Sequence, residues 1–374
     1  MRLGKFKINH YINYIVIGAM TLILGGMTLA GNRFDNSLLF LLEKMAISII
    51  LAVSLSLVVS FLGELSLGHA GFMCVGAYLG GKVSSLLVPA MGNGLAAFAI
   101  SLIVGAAAAA VCGVIIGIPA LRLRGDYLAI VTLAFGEIVK TLFQNTSDET
   151  FGGTLGLDTP RYDKKYLFII AFVLVLITLA VVQNFIRSKH GRAVTAIRDN
   201  EIAAKATGIN VTKYKLIAFT TSAALAGVAG VLYSYSNYTV QSAKFDYNYS
   251  IEILVMVVLG GMGSINGSIV AAAMITWLNT WLPTVLTGEM AVLQNLLYAL
   301  ILIGIVIYNN APALKGFRDK YNLSVLMDKF RRKDPSHIND DKAKWDVVPT
   351  KISMDEILSI DLAPQDTQNH GGDE

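Results

Sequence analysis

Gly76-x-x-x-x-Gly81-Lys82 comes within one side chain of a loop that cradles phosphate, but Val83 stands where Ser or Thr must reach magnesium. The stretch also falls inside an apolar run rather than after a strand, so the chain is expected to bind no cofactor and any nucleotide chemistry falls to a partner. Five histidines, His10, His69, His190, His337 and His370, are too scattered to make a zinc spacing. Cys74 and Cys112 lie in apolar segments and give no disulfide framework. With no nucleophile–base or metal constellation in view, the chain does not read as an enzyme. Ionisable side chains inside apolar segments default to function. Glu137 and Lys140 are three apart and can pair on one helix face; Glu64 and His69 fall at a span edge. Lys82 can snorkel toward an outer interface, and Glu252 lies near an outer end. None is both mid-membrane and unpaired, which favours transport driven by ATP over transport driven by protons or sodium.

The elements that must position these residues are membrane helices. Of 374 residues, 54% are hydrophobic and only 15% charged, against about 45–50% and about 25% in soluble domains. The charge is concentrated at one end: 22 charged residues lie from Asn309 to Glu374, leaving 34 over the first 308. A soluble surface of that size cannot be covered with so few. Net charge +4 is too small for a nucleic-acid binder.

Ten segments approach the roughly 20 apolar residues that a crossing needs. They are Tyr11–Ala30, Lys44–Leu62, Gly71–Val88, Gly94–Ile118, Tyr127–Phe143, Tyr166–Ile186, Leu216–Tyr235, Ile251–Leu259, Gly267–Leu282 and Met290–Tyr308. The eighth is too short alone and must borrow from Asp246–Ser250 or be a broken helix. The first follows a basic start with no small-residue cleavage site and reads as retained. The fold expected is all-α and polytopic: residues 1–10 cytoplasmic, 11–308 a transmembrane domain, and 309–374 a cytoplasmic tail, basic then acidic and largely disordered. An even number of crossings with an inside N-terminus places 22 of the 30 Lys/Arg inside and five outside, as the positive-inside rule asks.

Two connections exceed what a minimal bundle needs: an outer loop over 144–165, containing Phe151-Gly152-Gly153-Thr154-Leu155-Gly156-Leu157, and a cytoplasmic segment over 187–215. Gly63–Gly71 reads either as a plain turn or as a broken element beside a translocation path; its glycines read first as packing glycines. Gly260–Gly267 occupies the equivalent place between later spans, with Gly63/Gly261 and Ser66/Ser264 at one offset, a weak sign of a repeat.

Arg198–Gly208 reads as a short capped helix. Asp199 or Asn200 can serve as N-cap, Glu201 and Lys205 are spaced i,i+4, and Gly208 suits a left-handed close. Ala203, Ala204 and Ala206 would present a face of small residues to another protein. The segment is either a lever pushed by a soluble partner or a simple connector.

Glu201-x-Ala203-Ala204-x-x-x-Gly208 resembles the EAA-type loop through which ABC importer permeases engage their ATPases. The wider stretch from His190-Gly191-Arg192-Ala193 through Gly208-Ile209-Asn210-Val211 to Ala226-Gly227-x-Ala229-Gly230 resembles the permeases of branched-chain amino acid importers of the LivM type. Gly63-Glu64-Leu65-Ser66-Leu67-Gly68-His69-Ala70-Gly71-Phe72, Arg122-Leu123-Arg124-Gly125-Asp126-Tyr127, Gly152-Gly153-Thr154 and Gly260-Gly261-Met262-Gly263-Ser264 are similar to that family too, over roughly Met45 to Tyr308; urea-importer permeases share much of the pattern. The resemblance implies a multi-pass subunit of the bacterial inner membrane, paired with a homologous second permease as a heterodimer. It also implies two cytoplasmic ATPases holding ATP and magnesium, and an extracytoplasmic substrate-binding protein. Under it, Asp199, Glu201, Ala203, Ala204 and Gly208 are expected at the ATPase contact, and Gly152, Gly153 and Thr154 under the binding protein. Glu64, Ser66, Gly68, His69, Gly71, Gly261 and Ser264 are expected at the translocation path or at helix breaks. An ion-coupled carrier acting alone is the competing class.

Overall fold

The computed structural model describes residues 35–285 apart from 93, 124 and 161–163, with scattered positions in 14–26 and 299–307. The expected spans at Tyr11–Ala30 and Met290–Tyr308, the N-terminus and the 309–374 tail lie largely or wholly outside the described residues.

The described chain is mostly helical. In order it forms α1 (Asn36–Ser56, continued by a wide π turn over Leu57–Leu62), α2 (His69–Met91), α3 (Leu95–Ala120), α4 (Asp126–Gln144), α5 (Asp148–Phe151), β1 (Leu157–Asp158) and α6 (Lys164–Arg187). Then follow α7 (Lys189–Asp199), α8 (Glu201–Ala206), α9 (Val211–Ser236), β2 (Thr239–Val240), a 3₁₀ turn over Ser242–Lys244, α10 (Tyr247–Leu259) and α11 (Ile265–Val285). Among the described residues six helices are long and apolar enough to cross a membrane: α1 with its π turn, α2, α3, α6, α9 and α11. Ten crossings were expected. The segment at Tyr127–Phe143 does form a helix, α4, but it carries the Glu137–Lys140 ion pair (2.6 Å) and is not among the six. The short eighth segment extends backward into the polar side as α10, whose N-cap Asp246 accepts from the Tyr249 amide.

Two helices show how the bundle is layered. The apolar stretch of α1 is 89% buried, enclosed by α6, α9, α10 and α11. That of α3 is only 22% buried, with Ile103, Val111 and Ile115 facing outward. Helix α9 packs against both α2 and α3, and glycines let it come within backbone distance. A Cβ added to Gly76 of α2 would lie 2.4 Å from the Gly227 carbonyl oxygen; one added to Gly230 would lie 2.1 Å from that of Met73. The near-P-loop of the sequence is therefore part of a helix crossing. Tyr78 of α2 stacks on Phe143 of α4, ring centroids 4.3 Å apart.

The two ends of the bundle differ. One gathers the π turn, the Gly63–Glu64 connection, Arg198 and Met262 around one cavity. The other carries an antiparallel β1–β2 pair, Leu157 opposite Val240 and Asp158 opposite Thr239, which ties the long loop after α4 to the chain leaving α9.

Leucine at position 230 has no room. Gly230→Leu should destabilise the purified chain by about 3 kcal/mol or more, read as a lowered unfolding temperature in detergent. Gly94→Ala, where a Cβ meets nothing within 4 Å, should leave the transition in place.

Candidate functional site

Helices α7 and α8 form a bent pair separated by one residue. Ser188 caps α7, its hydroxyl accepting from the amides of His190 and Gly191. Asn200, with extended backbone, ends α7 and caps α8 by accepting from the amides of Ile202 and Ala203, both at 3.0 Å. Of the two cap candidates in the sequence, Asn200 is the one used. Thr207 ends α8 and Gly208 follows at φ +85°, a conformation that a side chain would strain. The expected Glu201–Lys205 pair forms at 2.8 Å.

The face of α8 differs from the sequence reading in one respect. Ala204 points inward and is buried against Ile197 and Val211, so a partner approaching from outside does not meet it. Ala203 and Ala206 are exposed, and Ile202 is 77% exposed beside them. The small side chain at 204 lets α8 lie close to α7 and α9, and Ile202 is the apolar group left facing out.

Two cations fasten this pair to the rest of the bundle. Lys215, on the second turn of α9 and only 4% exposed, donates to Glu64 Oε1 at 2.5 Å and to Glu201 Oε2 at 3.4 Å. A buried ammonium without such partners would cost several kcal/mol. Arg198 lies across Gly63, gives Nη1 to the Ser60 carbonyl in the π turn at 3.0 Å, and holds Asp199 Oδ1 through Nε and Nη2. A displacement of α8 is therefore felt at Glu64, and one of α7 at Ser60. The hydrogen bond from Lys205 holds the Glu201 carboxyl down to about 2, partial burial opposing it and Lys215 adding to it.

The other residues singled out in the sequence divide into groups. Gly68 and Gly71 are packing glycines against α4: added Cβ atoms would lie 2.5 Å from the Thr132 carbonyl oxygen and 2.7 Å from Gly136 Cα. The start of α2 is also pinned by Leu67 N–H to Thr132 Oγ1 and Ala70 N–H to Ser250 Oγ. His69 is buried, with Nε2 in a 2.7 Å hydrogen bond with Ser54 Oγ. The buried Ser66 hydroxyl has no hydrogen-bond partner among the described residues. Gly261 and Ser264 are exposed in the turn before α11, where Ser264 Oγ accepts from the Gly267 amide. Of these seven residues Glu64 is the one joined to α8, through Lys215 of α9.

At the opposite end, Gly152 and Gly153 serve the loop's own closure. A Cβ on Gly152 would lie 1.9 Å from the Gly156 carbonyl oxygen, and Gly153 is buried against Asp148. What the loop presents is Thr154 and Leu155. Lys82 braces it by donating to the Glu149 carbonyl at 3.3 Å.

Sequence reasoning gave Lys215 and Arg198 no linking role. A lysine at the very start of an apolar run was the available signal for Lys215.

A family model described as branched-chain amino acid transport system / permease component matches residues 37–308, nearly three-quarters of the chain. The high-affinity branched-chain amino acid transport system permease protein LivM of Salmonella typhimurium is 38% identical over 260 residues, that of Escherichia coli K12 37% identical over the same length. Each alignment covers 61% of this chain and 60% of the relative, so the chain spans well under two-thirds of these LivM proteins. The ribose import permease protein RbsC of Escherichia coli K12 is 28% identical over 79% of this chain and 92% of its own length. No solved structure matches.

Lys215→Met should cost about 3 kcal/mol, the low end for breaking a buried pair because Glu64 and Glu201 keep some water. Adding Glu64→Gln should restore part of the loss, as unfolding temperatures of the single and double variants would report. Because the docked Glu201 titrates near 2 rather than at 4.5, its contribution to holding α8 is fully present above pH 4.5 and is lost as pH falls toward 2. Hydrogen-exchange protection factors of the 201–208 amides should be level above that range and decline below it.

Proposed function

The chain belongs to the family of branched-chain amino acid transport system permease components, and on that footing we propose that it is the membrane-spanning permease subunit of an ATP-driven importer of leucine, isoleucine and valine. Its companions are a homologous second permease, two cytoplasmic ATPases carrying ATP and magnesium, and an extracytoplasmic binding protein that selects the cargo. The orientation is that of the charge count: both termini, the α7–α8 pair and the Gly63 connection on the cytoplasmic side, and the β1–β2 end outside, in a bacterial inner membrane. The higher identity of the LivM matches, 37–38% against 28%, supports this reading of the cargo over the ribose of the more distant RbsC relative.

The observation that carries the mechanism is the pair of cationic links from α7–α8 to Glu64 and Ser60. An ATPase that binds the exposed side of α8, around Ile202 and Ala203 with Gly208 at its end, pulls on Glu201, and through Lys215 on Glu64. ATP binding then favours one arrangement of the bundle through contacts made in that arrangement alone, the requirement for any population shift. Outside, the closed loop presenting Thr154 and Leu155 receives the binding protein. The permease supplies a gate, and the nucleotide chemistry belongs to its neighbours.

Vesicles carrying the chain with its second permease and ATPases, supplied with the binding protein, should take up leucine only with ATP inside and with indifference to an ionophore. Uptake collapsed by the ionophore and indifferent to ATP would identify a carrier acting alone, and preference for ribose or urea would reassign the cargo. Ile202→Glu and Ala203→Trp should leave membrane insertion intact while abolishing co-purification of the ATPases. Normal co-purification with both would remove α8 from the contact.

A further inference from the structure

At the end opposite α8, a cavity of about 340 Å³ opens between α1, α9, the 242–249 segment, α10 and α11, a size within the range of small-molecule sites, roughly 300–1,000 Å³. Its charged lining is mixed. Lys44, from α1, and Lys244, from the 3₁₀ turn, contribute ammonium groups, and neither forms an ion pair among the described residues. The Lys44 ammonium lies 4.5 Å over the Phe40 ring. Glu252 of α10 contributes a carboxylate, steadied by the Asn279 side-chain amide, which donates to Oε1. Thr276, only 6% exposed, lines the same cavity with an Oγ1 that has no hydrogen-bond partner among the described residues. Buried hydroxyls are ordinarily satisfied, so an orphaned one beside a cavity points to a ligand. Phe245, 2% exposed, supplies an apolar wall. A second cavity of about 530 Å³ shares Asn237, Lys244 and Thr280 with the first and runs out to Asn36 and Gln241, so the site has an approach whose one charged lining residue is Lys244 itself.

We infer that this cavity is a station for a zwitterionic α-amino acid with an aliphatic side chain: Lys44 and Lys244 face its carboxylate, Glu252 faces its ammonium, Thr276 supplies the additional hydrogen bond, and Phe245 lies against its side chain. Charges of both signs in a partly enclosed cavity interact more strongly than in water, and they discriminate. A simple carboxylate leaves Glu252 unanswered; a simple amine leaves two ammonium groups facing a like charge. A sugar or an amide carries no charge for any of the three. The inference rests on the import reading above for its direction of traffic, but the site stands on its lining alone.

The test uses the full-length chain in lipid nanodiscs, with saturable binding of radiolabelled L-leucine at millimolar concentrations as the readout and two competitors, 4-methylpentanoate and 3-methylbutylamine, which each keep one of the two charges. Leucine should bind and both competitors should displace it poorly. Glu252→Gln and Lys244→Met should each weaken leucine binding about tenfold or more, equivalent to about 1.4 kcal/mol or more, with the unfolding temperature unchanged for the exposed Lys244. No saturable leucine binding to the wild-type chain, or binding that both variants retain, overturns the site. Displacement by 4-methylpentanoate as effective as by leucine itself, untouched by Glu252→Gln, makes it an anion site instead and overturns the proposal equally. Uptake with the assembled partners separates the two readings. Binding without ATP-driven uptake sinks the importer and spares the cavity; uptake unaltered in both variants does the reverse.

Discussion

Helix α9 can lie against its neighbours because its middle has no side chains to hold them away. At Gly227 and Gly230 its backbone meets α2 and α3 almost directly. In lipid, where burying apolar surface between helices gains little, such contacts and the dispersion they allow are what hold spans together. The consequence is a rod fixed at its centre with both ends committed to polar tasks. At one end Lys215 is bound to Glu64 and Glu201; at the other Tyr233 and the cap residue Asn237 line a cavity with charges of both signs. A helix of 26 residues is about 39 Å long, enough to join the two faces of a membrane in one stiff piece.

The polar end that bears α8 obeys a second constraint. A lysine sheltered to that degree must have partners, and here the partners belong to different elements: one to the connection after α1, one to the short helix α8. Bonds of this kind add little net stability once desolvation is counted, but they fix which pieces move together. Arg198 does the same for α7 and the end of α1, with a carbonyl rather than a carboxylate as its far anchor. The pair of helices is thus attached by direction-specific bonds at two points and by a small apolar cluster of Ile197, Ala204 and Val211.

Much of this was legible in the sequence, for reasons that are local. Long apolar runs announce α1, α3, α6 and α9, since nothing but a helix satisfies backbone groups in hydrocarbon. Asn200, Glu201, Lys205 and Gly208 announce α8 through short-range chemistry that needs no tertiary partner. What was not legible depends on distant residues. Burial of Ala204 requires knowing that Ile197 and Val211 close over it. The polar sequence of α7 hides a helix whose apolar side, Val194 and Ile197, acquires meaning only once packed. The β1–β2 pairing joins residues some eighty positions apart. The cavity gathers Lys44, Lys244 and Glu252 from three separate elements, and the glycines of the near-P-loop look like a ligand motif until the helix that fills them is in view.

The π turn at Leu57–Leu62 has one more residue in its loop of chain than the α-helix above it. The extra residue takes Leu57–Leu62 out of the register of the α-helix before it, just ahead of the Gly63–Glu64 connection. The buried shaft of α1 is enclosed by α6, α9, α10 and α11. Its last turn closes at a left-handed Gly63 and is held from outside at two points, by Arg198 at the Ser60 carbonyl and by Lys215 at Glu64.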